Sequence, residues 1–194
     1  MGHNQGIDVS SIRFVQCNLR HSINASEFIL KKYIDICLIQ EPWINKFLVK
    51  GLTSRYFNLF YKTVEGKNPR SCILISKNFN AFLLNNFSDA DCTTVKLEDG
   101  HHSLTVVSSY LDRNLPAPTA CLRQVVEENT RSAHANLIIG CDANARHTIW
   151  GSSEINSRGE YLFDFITNSR LVIDNVGNTP TFICPTYMEG GMTF

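Results

Sequence analysis

The stretch IIGCDANARHTIWGS, residues 138–152, passes in four residues from an apolar run to a polar one. Asp142 and Asn144 stand directly behind the apolar segment ANLIIGC. An apolar run of this length bounded by polar residues reads as a strand buried on both faces. A carboxylate placed straight after such a strand is costly to bury without a partner. Taken alone, Asp142 and Asn144 can be explained as an Asx-turn. The pattern repeats elsewhere, however: Asn18 follows IRFVQC, Glu41 follows IDICLIQ and Tyr110 follows LTVVSS. Glu41 alone could merely cap a turn before Pro42. Several buried strands ending in Asn, Glu, Tyr and Asp/Asn imply convergence on one edge of a sheet, where a hard divalent cation would find oxygen ligands.

Between these runs the chain alternates short β-like segments with a few amphipathic helices. No repeat, low-complexity tract or Pro/Gly-rich linker divides it. IRFVQCNL (12–19) predicts a strand, followed by a helix over about 25–33 capped by Asn24 with Glu27 reaching back, and Phe28, Ile29, Lys32 and Tyr33 on one face. SCILIS, FNAFLLNNF, CTTVKLE and SLTVVSSYL predict consecutive strands joined at Lys77-Asn78, Ser88-Asp89 and Asp99-Gly100, as antiparallel hairpins or meanders. Thr119 can cap a helix carrying Leu122, Val125 and Val126. Ser157 and Glu160 read as a capping box before a helix with Tyr161, Leu162, Phe165 and Ile166 on one face, and LVIDNV and TFIC close the chain as strand candidates. This order suits an α+β fold, a four-layer α/β sandwich of two packed, mixed but mainly antiparallel sheets flanked by helices.

The bulk properties fit one domain over residues 1–194. The chain is 43% hydrophobic and 10% aromatic, enough for a substantial core. Lys plus Arg equals Asp plus Glu at 18 each, so net charge announces no nucleic-acid partner, although a neutral total can hide a basic face beside an acidic site. Seven scattered cysteines without a C-x-x-C pair predict reduced, mostly buried thiols in an intracellular protein. The N-terminus lacks a signal-peptide pattern, no apolar stretch approaches a membrane span, and Gly6 stands where a myristoylation signal wants Ser or Thr. The six histidines lack zincin or deaminase spacing, and no Walker A, G-x-S-x-G or G-x-G-x-x-G is present. Thiolate or imidazole metal centres, nucleotide-binding loops and serine-hydrolase elbows therefore drop out.

The motifs carry a resemblance. VQCNLR, LIQEPW, VVSSYLD and IIGCDANARHTIWGS are similar to the successive motifs of the endonuclease/exonuclease/phosphatase superfamily. INSRGEYLFDFI and NVGNTPTF resemble the segments that follow in the apurinic-endonuclease-like endonuclease domain of insect-type, R1-like and Jockey-like non-LTR retrotransposons. The resemblance implies Mg²⁺-dependent phosphodiester hydrolysis, with Mn²⁺ as a substitute, and nicking of double-stranded DNA for target-primed reverse transcription. It also implies a reverse transcriptase domain in the same polyprotein, a nuclear location and no membrane partner.

Residue by residue, the resemblance makes Glu41 the metal-binding glutamate, with Asn18 beside it on metal or phosphate, and Tyr110 the phosphate-contacting tyrosine. Asp142 would manage a proton on the attacking or leaving oxygen, and Asn144 would orient nucleophile and phosphate. Asn156 would line the site as an amide. Arg146 stands where relatives carry His; there it either contacts phosphate or is a tolerated surface change. His147 is the first candidate for a replacement base.

That need arises at the C-terminus. Relatives follow PTF with a segment like IDLTL and later with Ser-Asp-His, whose aspartate and histidine form the water-activating dyad. EGGMTF places Gly191 where the aspartate would stand, and the second motif is not in this chain. Glu189 is out of register as a substitute. The sequence therefore leads to a domain lacking its last strands and to three readings: a nicking endonuclease, a catalytically inactive remnant or co-opted fragment that binds nucleic acid or protein, and a phosphatase of the same superfamily.

Overall fold

Short β-branched runs separated by turn residues build most of the structure, a computed structural model that describes residues 12–100, 102–132 and 136–175. The chain divides into two compact units, Met1–Asn144 and Ala145–Phe194. In the first, the order is β1 (Phe14–Asn18), α1 (Ile23–Leu30), β2 (Ile36–Gln40), β3 (Ile44–Asn45), β4 (Leu48–Val49), β5 (Phe57–Phe60), β6 (Ser71–Ser76), β7 (Ala81–Leu83), β8 (Cys92–Glu98), β9 (Ser103–Tyr110), α2 (Ala120–Arg131) and β10 (Asn136–Asp142). The second unit carries α3 (Ser157–Asn168). Among the described residues, no helix is long and apolar enough to cross a membrane.

Two four-stranded sheets form the first unit, in the orders β1-β2-β6-β5 and β10-β9-β8-β7. Each is mixed in the same way: one parallel pair, β1 with β2 and β10 with β9, and antiparallel pairs for the rest. A parallel pair needs a crossover, and α1 and α2 supply it. The sheets pack face to face through Ile36, Leu38, Ile73, Ile75, Val95, Leu97, Leu104 and Val106, all at most 2% exposed. The opposite face of the first sheet buries Cys37, Ile39, Cys72 and Leu74 with Ile29 of α1. This explains why β2 and β6 read as continuous apolar runs: both faces are covered. Against the second sheet, α2 buries Cys121, Leu122, Val125 and Val126. The expected two-sheet sandwich with flanking helices is the architecture observed.

The two sheets approach tightly at Gly140. A methyl group there would lie 2.7 Å from Leu38 Cδ1 and 2.8 Å from Gln16 Cγ, so the apolar run of β10 must break at a residue without a side chain. The break also clears space for a polar seam. Gln40, fully buried at the end of β2, accepts from Gln16 Nε2 (2.5 Å) and donates to Ser108 Oγ (2.9 Å) and the Gly140 carbonyl (3.3 Å). Ser108 passes its own proton to the Ile39 carbonyl at 2.8 Å.

Several local expectations need correction. Ser22 caps α1, its Oγ accepting from Ala25 N at 3.2 Å, two residues earlier than Asn24. Only Ser26 and Ile29 of α1 are buried; Phe28 lies under Lys32, and Tyr33 under Arg13, both facing solvent. Asn156 and not Ser157 caps α3, and of its expected apolar face Leu162 is buried while Tyr161 is exposed. Lys77-Asn78 joins two different sheets and makes no hairpin, and FNAFLLNNF is a strand only over Ala81–Leu83 before a 3₁₀ turn. Residues 171–175 form no strand, and TFIC lies outside the described residues.

The fold yields two expected outcomes. Gly140→Ala should lower stability by about 1–3 kcal/mol, since the new methyl overpacks the sheet contact; urea unfolding followed by circular dichroism measures it, and an unchanged midpoint would contradict the close approach. Burial raises the thiol pKa of Cys72, and the hydrogen bond to a neighbouring thiol, followed by burial, raises that of Cys37 and Cys92; burial pushes Cys141 up to about 11. These four thiols should alkylate slowly in the native protein and fast in denaturant, as mass spectrometry of timed labelling would reveal. Fast native labelling of all four would contradict the strand placements.

Candidate active site

Parallel pairing of β1 with β2 and of β10 with β9 brings their C-terminal ends to one edge of the sandwich, and antiparallel β6 and β8 begin there. The polar residues that follow the apolar runs therefore meet. Asn18 Nδ2 donates to Asp142 Oδ2 at 2.7 Å, joining the two sheets, while Asn18 Oδ1 accepts from Arg20 N at 2.8 Å. Asn144 Nδ2 donates to the Leu111 carbonyl (3.2 Å), and its side chain also bonds the Tyr110 hydroxyl. Glu41 follows Gln40 directly, with its N–H bonded to the Arg70 carbonyl at 2.9 Å.

Tyr110 records the charge around it. Burial first, and then the carboxylates of Glu41 and Asp142, hold its pKa above the usual tyrosine range, while Arg70 and the Asn144 bond act in the opposite direction. The phenol is thus a neutral donor at physiological pH. Backbone strain concentrates on the same edge: Arg20, His21, Glu41 and Asn144 all have positive φ, between 45° and 58°. For non-glycine residues that conformation is uncommon and costs about 1–3 kcal/mol each where the surroundings enforce it.

The sequence reading missed a second layer at this edge. Arg70, just before β6, grips Asp91 with Nε and Nη2 (2.6 and 2.7 Å) and Asp112 with Nη1 (2.6 Å), and its guanidinium carbon lies 4.7 Å from the Tyr110 ring centroid. Asp112 is held below the usual carboxylate range, first by the Asn114 N–H and then by Arg70. Two carboxylates already satisfy this cation, so it positions Tyr110 and is not spare charge for a phosphate. Charged residues at the starts of SCILIS and CTTVKLE and after VVSSYL were visible, but only the strand pairing shows that they share an edge.

The donor set decides which metal could fit. Glu41, Asp142, the Asn18 amide oxygen and the Tyr110 hydroxyl offer only oxygen. Among the described residues no group of three or more His, Cys, Asp or Glu side chains could enclose an ion. Two carboxylates with open positions for water suit magnesium or manganese, and do not suit zinc or an all-protein calcium cage.

In the second unit, His147 Nδ1 accepts from Ile149 N at 3.1 Å, and its ring stacks on Phe163 with centroids 4.7 Å apart. With Nδ1 occupied, the neutral ring carries its proton on Nε2, which does not suit a general base. Asn156 Oδ1 accepts from Gly159 N (2.8 Å) and Arg146 N (3.1 Å), and Arg146 pairs with Glu154. A methyl group at Gly159 would collide with the Arg146 carbonyl. Asn156 thus has a capping role, and Arg146 lies on the surface. Gly191 and Glu189 lie outside the described residues.

A solved structure shares this fold. The endonuclease domain of TRAS1, a telomere-specific non-LTR retrotransposon, superposes with a TM-score of 0.74 at 26% identity, covering 88% of this chain and 76% of that one. This is an endonuclease/exonuclease/phosphatase fold. A family model described as endonuclease-reverse transcriptase matches residues 104–188, the part of the fold that carries Tyr110, Asp142 and Asn144. Humanized D. rerio TDP2 shares the endonuclease/exonuclease/phosphatase fold at a TM-score of 0.50 and 16% identity, over 75% of this chain and 68% of that one. No curated protein matches.

The Arg70 cluster predicts a stability effect. Arg70→Met leaves Asp91 and Asp112 facing each other without their cation, and should cost about 1–3 kcal/mol, less than a fully buried pair because the side chains stay partly exposed. Adding Asp91→Asn should recover part of that loss. A double-mutant cycle in urea measures both, and a strictly additive cycle would deny the coupling.

Proposed function

We propose that the chain is a Mg²⁺-dependent phosphodiesterase that nicks double-stranded DNA, as the endonuclease domain of a non-LTR retrotransposon. One observation carries the reading: Asn18 and Asp142, from different sheets, bond at 2.7 Å on the edge that also holds Glu41, Tyr110 and Asn144. The fold match to a retrotransposon endonuclease domain supports it. The matching family's description joins endonuclease to reverse transcriptase, in keeping with a reverse transcriptase domain acting beside this one.

Glu41 and Asn18 would hold the cation, with Asp142 adjoining. A divalent ion there supplies Lewis-acid stabilisation of charge on phosphoryl oxygens. The chain's own residues do the rest. The neutral Tyr110 hydroxyl donates to a non-bridging oxygen, fixed by Asn144 on one side and the Arg70 guanidinium on the other. Asn18 holds the Asp142 carboxylate in one orientation through its N–H, so that a proton on the attacking or leaving oxygen meets a fixed acceptor. These groups are set before substrate arrives, and the positive-φ backbone at Glu41 and Asn144 is the strain expected of such preorganisation.

The test is conversion of supercoiled plasmid to open circles in Mg²⁺. Asp142→Ala should abolish nicking, and Glu41→Gln should raise the Mg²⁺ needed. Appending a relative's Ser-Asp-His segment together with Gly191→Asp should raise the rate by about 10²- to 10⁴-fold, the usual worth of general-base assistance. Nicking that survives Asp142→Ala would overturn the site assignment. Duplex binding without nicking in any of these forms would favour the non-catalytic reading, for which Gly191 is the specific observation.

A further inference from the structure

Strands β3 and β4 pair Ile44 with Val49 and Asn45 with Leu48, which leaves Lys46 and Phe47 as a two-residue turn. Both have positive φ, 51° and 62°. Such a hairpin turn demands that conformation at both positions, which is why Asn-Gly usually occupies it. An aromatic residue there is an outlier that a simple connection would not retain. Burial does not compensate for the strain: Phe47 is 53% exposed and Leu48 40%.

The stalk below the turn is fixed. Lys50 N donates to the Trp43 carbonyl at 2.9 Å, and Val49 and Leu52 are buried in the core that α1 covers. Phe47 is therefore held out into solvent by a rigid base. It follows Glu41 by six residues, a reach of at most about 20 Å, or roughly six base pairs at 3.4 Å per step. The same rim carries exposed Arg20 and His21, the latter bonded through Nδ1 to the Pro42 carbonyl at 2.9 Å, with Lys46 and Lys50 exposed on the hairpin. A projecting ring beside cations fits the two parts of a nucleic acid, a flat base face and a phosphate chain.

We infer that the β3–β4 hairpin is a DNA-binding wedge, in which Phe47 seats against a base step of duplex DNA near the scissile phosphate while Lys46 and Lys50 meet flanking phosphates. The inference rests on the DNA-nicking reading and names the element that grips and distorts the duplex. Because the ring touches bases through stacking, it would favour easily unstacked pyrimidine–purine steps over a unique sequence.

The experiment uses a short duplex with 2-aminopurine at successive positions, in Ca²⁺, reading anisotropy for binding and 2-aminopurine fluorescence for unstacking. Phe47→Ala should bind about 5- to 100-fold more weakly, the range for removing one stacked base contact, and should lose the fluorescence rise, while Phe47→Trp keeps it. The double variant Lys46→Asn, Phe47→Gly should melt at a higher temperature than the parent, since the turn relaxes, and yet bind as weakly as Phe47→Ala. Binding and unstacking by Phe47→Ala equal to the parent would overturn the wedge while leaving nicking intact. Unstacking by the parent in Ca²⁺, with no plasmid nicking in Mg²⁺, would keep the wedge and remove the nuclease reading. Absence of duplex binding by the parent would overturn both.

Discussion

A buried amide at the end of a central strand is the constraint around which this fold is arranged. Gln40 has no access to water, so its oxygen and both its N–H groups must find partners inside the protein or cost several kcal/mol of lost hydration. It finds them on β1, β9 and β10 at once: Gln16, Ser108 and the Gly140 carbonyl. No slip of either sheet by one residue keeps all three, since a slip would turn Gln40 toward the opposite face. The seam thereby fixes the register of two sheets whose apolar faces alone would tolerate several. Just beyond the seam stand Asn18, two residues past Gln16, Glu41, next to Gln40, and Asp142, two residues past Gly140. The precision of the site is inherited from the seam.

The energetic character of the edge follows from that inheritance. Positive φ at Arg20, His21, Glu41 and Asn144 is held by the parallel pairs behind it, through the His21 N–H to the Glu41 carbonyl at 2.8 Å and the Leu111 N–H to the Asp142 carbonyl at 2.9 Å. Arg70 adds a clamp from the antiparallel strands, where a bidentate fork on Asp91 gives orientation that a lysine could not supply. Strain and clamp lie on one edge. The opposite end of the first sheet carries the Arg13–Asp35 ion pair, and neither residue has a positive φ.

Much of this was legible in sequence because strands buried on both faces announce themselves. IDICLIQ read as a strand buried on both faces and SCILIS as a strand, and a polar residue directly behind a buried run is costly to bury without a partner. Asn18, Glu41, Tyr110, Asp142 and Asn144 were found that way, and the structure brings them to one edge. What could not be read was anything that depends on pairing between distant strands. Arg70, Asp91 and Asp112 are separated by 21 residues at each step and look like ordinary surface charges until β6, β8 and β9 are laid side by side. Helix faces misled for a different reason: Phe28, Tyr33 and Tyr161 have helical spacing, but two of the three lie beneath or beside a cation at the surface, where an aromatic ring can stay exposed at little cost. The hairpin at residues 44–49 was invisible because its turn breaks the residue preference by which turns are recognised.

The location of the two carboxylates would couple the binding of a divalent ion to the packing of the two sheets. Glu41 extends the first sheet and Asp142 ends the second, and the Asn18 bond, the Gln40 seam, the Arg70 fork on Asp91 and the Ser71–Thr93 hydroxyl bond all tie the two sheets together at this end. The Asn18 amide already donates to the Asp142 carboxylate across the two sheets. A divalent ion held by Glu41 and Asp142 would add an attraction between the same two strand ends. Any ion bound only by the packed state stabilises that state by mass action. A substitution that loosened the seam at Gln40 would therefore displace Asn18, Glu41 and Asp142 together, since each stands one or two residues beyond a seam residue.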